Sequence, residues 1–146
     1  MAHLLDVNFL IALLDSDHVD HSTANRWFRN HHSRGWATCA ITENGVARVL
    51  AQPAYPSGQR TPAEVIQVLG DLKRAFAASY EFWPNEVSLS DDTLFVSNFI
   101  AGSRQVTDAY LLGLTSRHRG TLVSFDLRLP WQAIRGGSAK LIHLPV

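Results

Sequence analysis

The chain is poor in several features whose absence narrows what it can be. Cys39 is the sole cysteine among 146 residues, which excludes an intrachain disulfide and any zinc knuckle built on cysteine pairs. Its setting, WATCA, reads as a small buried hydrophobe rather than a nucleophile. Long apolar runs are missing: the longest near the start, Phe9 to Leu14, is too short for a signal peptide or a membrane span, and no basic stretch precedes it. The expectation is a cytoplasmic protein with no membrane association. An excess of either charge is also missing, since thirteen basic residues balance thirteen acidic ones, which does not suit a simple polyanion binder. Gathering several acids into one pocket would nevertheless leave a basic excess elsewhere. There is no internal repeat, low-complexity tract or domain boundary, so residues 1–146 read as a single domain, and 46% apolar residues can fill its core.

What is present is an alternation of short apolar runs with helical patterns, the signature of βαβ units and a parallel sheet. His3 to Val7 suits a buried first strand, Asn8 to Leu14 a short helix, and DSDHVDH a polar connection. From Asp20 to about Arg29, Ala24, Trp27 and Phe28 form an apolar helical stripe. Trp36 to Ala40 reads as the second strand, and Thr42 as the cap of a helix through Leu50. Residues 52–58 are loop by composition. Thr61, Pro62 and Glu64 form a capping box with proline at the first helical position, starting a helix that runs to about Ala77. Tyr80 to Trp83 reads as a strand ended by Pro84, and Ser90-Asp91-Asp92 as the start of a helix through about Ala101. Thr107 is expected to cap the next helix, with Thr121 to Phe125 and Leu141 to Leu144 as the last strands. Trp27, Phe28, Phe76, Phe95 and Phe99 are assigned to helical core faces.

Four of the thirteen acids fall where strands give way to helices or loops: Asp6, Glu43, Asp108 and Asp126. In an open parallel sheet the crevice beyond the carboxyl ends of the strands is the ligand site. Apolar residues lead directly into Asp6 and Asp126, and a buried unpaired carboxylate requires a hydrogen-bond partner, a raised pKa or a metal. Gathered together, the four would suit a hard divalent cation and hence phosphodiester hydrolysis. The other acids have plainer roles. Asp15, Asp17 and Asp20 fail as a calcium loop because the sixth and twelfth positions hold Asp20 and Arg26, and the seven scattered histidines lack the tight spacing of a structural zinc site.

LLDVNFLIALLD, the stretch from Thr42 to Arg48, TDAYLLGL and GTLVSFD, in that order, resemble the PIN domain of VapC-type ribonuclease toxins from bacterial toxin–antitoxin pairs. The resemblance implies a three-layer α/β/α fold with a central, mainly parallel sheet. It also implies a metal-dependent endoribonuclease, with magnesium in the pocket and manganese as a substitute, leaving 5′-phosphate and 3′-hydroxyl ends. Its implied partners are RNA, a second copy in a homodimer, and a cognate antitoxin in a hetero-oligomer. Carried over by position, Asp6, Glu43, Asp108 and Asp126 match the acidic residues, with Asp6, Asp108 and Asp126 as metal ligands and Glu43 as a ligand or water-orienting base. Asn8, Thr107, Ser124 and Arg48 match residues beside the site or toward substrate.

Other classes fit less well. A two-component receiver needs a lysine at the carboxyl end of a late strand, but the only lysines are Lys73 and Lys140. A haloacid-dehalogenase-like phosphatase begins with Asp-x-Asp, whereas this chain has Asp6-Val7-Asn8. The nearer alternatives are a PIN nuclease of RNA processing that is not a toxin, and an inactive PIN module that only binds.

Overall fold

Five short strands, β1 (His3–Leu5), β2 (Trp36–Cys39), β3 (Tyr80–Trp83), β4 (Thr121–Val123) and β5 (Ile142–His143), pair in the order β3-β2-β1-β4-β5. Every pairing is parallel. The computed structural model describes residues 1–146. Five helices connect and flank the strands: α1 (Val7–Leu14), α2 (His21–His31), α3 (Ala40–Leu50), α4 (Pro62–Ala75) and α5 (Val106–Arg117). None is long and apolar enough to cross a membrane.

Strand alternation sends successive side chains to opposite faces, and this divides the interior into two cores. Leu5, Trp36 and Val123 pack with Phe9, Leu10, Trp27, Phe28, Val46, Leu50 and Leu69 on the side of α1 to α4. Leu4, Ala37, Cys39, Trp83 and Leu122 pack with Leu111, Leu112, Leu114 and Phe95 on the side of α5. The sheet is therefore covered on both faces, which is why its strands read as continuous apolar runs. Two glycines permit the close approaches. A Cβ on Gly45 of α3 would lie 2.5 Å from a Val7 methyl of α1, and one on Gly113 of α5 would overlap the Phe95 ring.

The expected elements mostly occur, with informative exceptions. The first strand stops at Leu5 rather than Val7, because the Asp6 side chain accepts the Val7 N–H and caps α1. Trp36 to Ala40 loses its last residue in the same way: Ala40 already belongs to α3. Thr42 is not the cap of α3 but lies within its first turn. Cys39 is the cap, and the Thr42 hydroxyl reaches back to accept the Cys39 N–H at 3.0 Å. The capping box at Thr61, Pro62 and Glu64 forms as expected, although α4 ends at Ala75.

The helix expected from Ser90 to Ala101 does not form. Asp91 Oδ1 accepts both the backbone N–H and the hydroxyl of Thr93, at 2.9 and 2.6 Å, a local turn that competes with helix. Backbone groups beyond it pair with residues 133–135 instead: Val96 N–H donates to Ala133 and Arg135 N–H to Leu94, both at 2.8 Å. Phe95 is buried, but Phe99 sits on a short turn and is 57% exposed, not on a helical core face. Thr107 also proves to be inside its helix, with Gln105 at the cap.

Candidate active site

The strand order reverses direction between β1 and β4, so a crevice opens at their carboxyl ends. Asp6 lies at the end of β1, Asp126 three residues beyond β4, and Asp108 in the first turn of α5. These three carboxylates act on one another. Burial first, then the charges of Asp6 and Asp126, push Asp108 up to about 6. Burial likewise raises Asp6, and the charge of Asp126 adds to this, while hydrogen bonds from Ser124 and the Val7 N–H oppose it.

Their surroundings differ. Asp6 is buried and held from two sides, by Val7 N–H and by the Ser124 hydroxyl, each at 2.7 Å. Ser124 is fully buried and is the hub of the arrangement. Its hydroxyl donates to Asp6 and accepts from the Asn8 amide at 2.9 Å and from the Asp126 N–H at 3.1 Å. Asn8 Oδ1 in turn accepts the Phe125 N–H at 3.0 Å, tying α1 to the segment after β4. Asp126 accepts the Arg128 N–H at 2.8 Å. Asp108 receives no hydrogen bond that would stabilise its charge, so both oxygens are free for a ligand.

The remaining candidates lie apart from this trio. Glu43, on α3, accepts the Thr38 hydroxyl at 2.6 Å and pairs with Lys73 Nζ at 2.5 Å. Its charge is not among those that perturb Asp6 or Asp108. Thr107 is exposed and Arg48 is exposed on the far part of α3, beside Asn44 and Gln52. The sequence reading missed Lys73 and Tyr80 as neighbours of Glu43; a lysine seventy positions into the chain carries no local signal of that contact.

Hard oxygen donors of this kind suit magnesium, which keeps several waters and needs only one or two direct carboxylates. As placed, no three His, Cys, Asp or Glu side chains stand close enough to grip one ion together. The set therefore fits an ion bound directly by one or two acids and through water by the rest. Beyond Asp126 a cleft of about 550 Å³ opens, with Phe99, Leu127, Trp131 and Leu144 among its walls.

A second buried carboxylate, Asp15, lies outside this site. It accepts hydrogen bonds from Tyr55 at 2.7 Å, Ser57 at 2.8 Å and the Asp17 N–H at 3.0 Å, and pairs with Arg60 at 3.0 Å. Burial alone would raise its pKa, but these partners hold it at about 2. It fastens the end of α1 to the loop before α4.

No protein-family profile matches the chain. Ribonuclease VapC44 of Mycobacterium tuberculosis is 45% identical over 141 residues, 96% of each chain. Ribonuclease VapC39 of the same organism is 39% identical over 136 residues, 93% of this chain and 96% of its own. Among solved structures, M. tuberculosis VapC20, a toxin that cleaves the sarcin–ricin loop, superposes with a TM-score of 0.56 over 86% of this chain and 89% of that one. Only 9% of its residues are identical, so that likeness speaks for the α/β/α fold. With identity of this level along nearly its whole length, the chain belongs to the VapC ribonuclease family.

Proposed function

We propose that the chain, working as one PIN unit, is the toxin of a toxin–antitoxin pair and hydrolyses RNA phosphodiester bonds at Asp6, Asp108 and Asp126 with magnesium. The observation that carries this reading is the convergence of three carboxylates whose charges penalise one another, one of them without a hydrogen bond to stabilise its charge. An uncompensated acidic cluster is costly in a fold, and a divalent cation offsets that cost. When bound, magnesium supplies the positive charge that acidifies a water molecule and neutralises charge building on the phosphate oxygens.

The chain's own residues fix the geometry. Ser124 and the Val7 N–H orient Asp6, and Asn8 orients Ser124. Asp108 enters from the first turn of α5, where the helix dipole favours its charge. The cleft beyond Asp126 receives the RNA strand, with Phe99 and Trp131 offering rings to unstacked bases. Family membership supports a cytoplasmic toxin that forms a homodimer and binds an antitoxin.

The test compares wild type with Asp108→Ala on cellular RNA, in magnesium and in chelator. Cleavage only by wild type in magnesium is expected; equal cleavage by the variant would overturn the site. Expression should also arrest growth, and co-expression of an adjacent small gene should relieve it. Cleavage without arrest would instead identify an RNA-processing nuclease, and no cleavage at all an inactive binding module.

A further inference from the structure

Resting on the reading of Asp6, Asp108 and Asp126 as the cation site, we propose that Lys73 is the standing counter-ion of Glu43. It keeps that carboxylate out of the coordination sphere, so the site takes one divalent cation rather than two. Lys73 is thus a positioning residue.

The contact is a built one. Val65 and Leu69 of α4 are buried, and Lys73, one turn beyond Leu69, follows them inward with its side chain only 26% exposed. Its ammonium stands 5.2 Å from the centre of the Tyr80 ring and 5.8 Å from that of Phe82. Tyr80 and Phe82 alternate along β3 and so share one of its faces, an aromatic floor that favours a cation. The Glu43 oxygen that meets Lys73 also accepts the Thr38 hydroxyl at 2.6 Å, and the Tyr80 hydroxyl lies 2.7 Å from that of Thr38. Glu43 is therefore supplied with a positive charge and hydrogen bonds from β2, β3 and α4. Asp6, Asp108 and Asp126, by contrast, have no cationic side chain compensating them.

A two-ion site needs carboxylates that can serve ions about 3.5–4 Å apart. With Glu43 engaged elsewhere, the remaining acids suffice for one ion and its waters. Lysine suits the role because its ammonium is a compact point charge. It is also scarce here, since eleven of the thirteen basic residues are arginines.

The test counts Mn²⁺ ions bound per full-length chain, by electron paramagnetic resonance of the free ion during titration, without RNA. Wild type should bind one. Lys73→Met keeps an apolar stem over Tyr80 and Phe82 but loses the charge, and should gain a second, weaker ion through the released Glu43. Lys73→Arg should remain at one, and Lys73→Met combined with Glu43→Gln should return to one. Two ions on wild type, or a Lys73→Met count equal to wild type, would overturn the proposal. The wild-type count decides by itself if Lys73→Met does not fold. Asp108→Asn separates this inference from the reading beneath it: that variant should bind no ion, and full binding by it would instead sink the three-acid site.

Discussion

Replacing Asp108 by Asn should stabilise the metal-free protein while destroying its activity. The carboxyl of Asp108 is pushed up from 3.8 to about 6 by burial and by the charges of Asp6 and Asp126. Because the native pKa is raised, the native state binds the proton more tightly than the unfolded chain does. The associated stability is fully present below about pH 4 and is lost as pH rises through about 6. At pH 7.5 the ionised carboxylate therefore costs the fold up to about 3 kcal/mol, at about 1.4 kcal/mol per pKa unit. Asparagine cannot ionise and removes that cost. For a chain of this size each kcal/mol moves Tm by about 2–4 °C, so melting in chelator should rise by as much as about 6–12 °C at pH 7.5. The gain should shrink at pH 5 and vanish near pH 4. Added magnesium should raise the Tm of wild type and leave that of the variant unmoved. Calorimetric scans in chelator at the three pH values provide the measurement. A variant that melts no higher than wild type at pH 7.5, or a gap independent of pH, would refute the account of this cluster.

Four further outcomes follow from other parts of the molecule. His3 is lowered to about 4, first by burial and then by His143 and His31; its contribution is present above pH 6.5 and is lost as pH falls. Urea unfolding at pH 7.5 and 5 should show wild type losing about 2 kcal/mol more than His3→Gln, and parallel losses would contradict this. Asp15, held at about 2, acts in a lower window: Asp15→Asn should cost about 2 kcal/mol at pH 7, fading as pH falls from 4 to 2, and a cost unchanged at pH 2 would count against it. Gly113→Ala should destabilise by about 1–3 kcal/mol through the Phe95 ring, with recovery in combination with Phe95→Leu; a strictly additive double variant would rule out that clash. Phe99→Ala should weaken RNA binding about tenfold or more through lost base stacking, without moving Tm or the Mn²⁺ count, and unchanged RNA affinity would remove the cleft from the substrate path.

Much of the fold was legible because local chemistry and tertiary structure agree. The capping box at Thr61 and Glu64 is a self-contained signal, and α4 starts where that signal places it. The strands ahead of Asp6 and Asp126 were visible as apolar runs because the sheet is buried on both faces. Agreement failed where partners are remote. Ser90-Asp91-Asp92 has the composition of a helix start, but Thr93 turns Asp91 into a local acceptor and Ala133 and Arg135 take up the backbone groups of Leu94 and Val96. No window of sequence around residue 91 contains the competing segment, forty residues away.

The same limit divides the four acids. Glu43 and Asp108 look alike in sequence, each in the first turn of a helix entered from the carboxyl edge of the sheet. A helix dipole favours both and distinguishes neither. What separates them is arrival: Lys73 from α4 and Tyr80 from β3 reach Glu43, whereas only other carboxylates bear on Asp108. Ser124 shows the converse case. In sequence it is a strand hydroxyl with an ordinary structural explanation, and it becomes the joint between Asp6, Asn8 and Asp126 only because β1 and β4 are neighbours in space. Residue type and position nominate candidates for such a site, but the charge each one carries into chemistry is set by which elements the topology brings beside it. On that ground Asp108, with no compensating partner, is the residue most dependent on a bound cation.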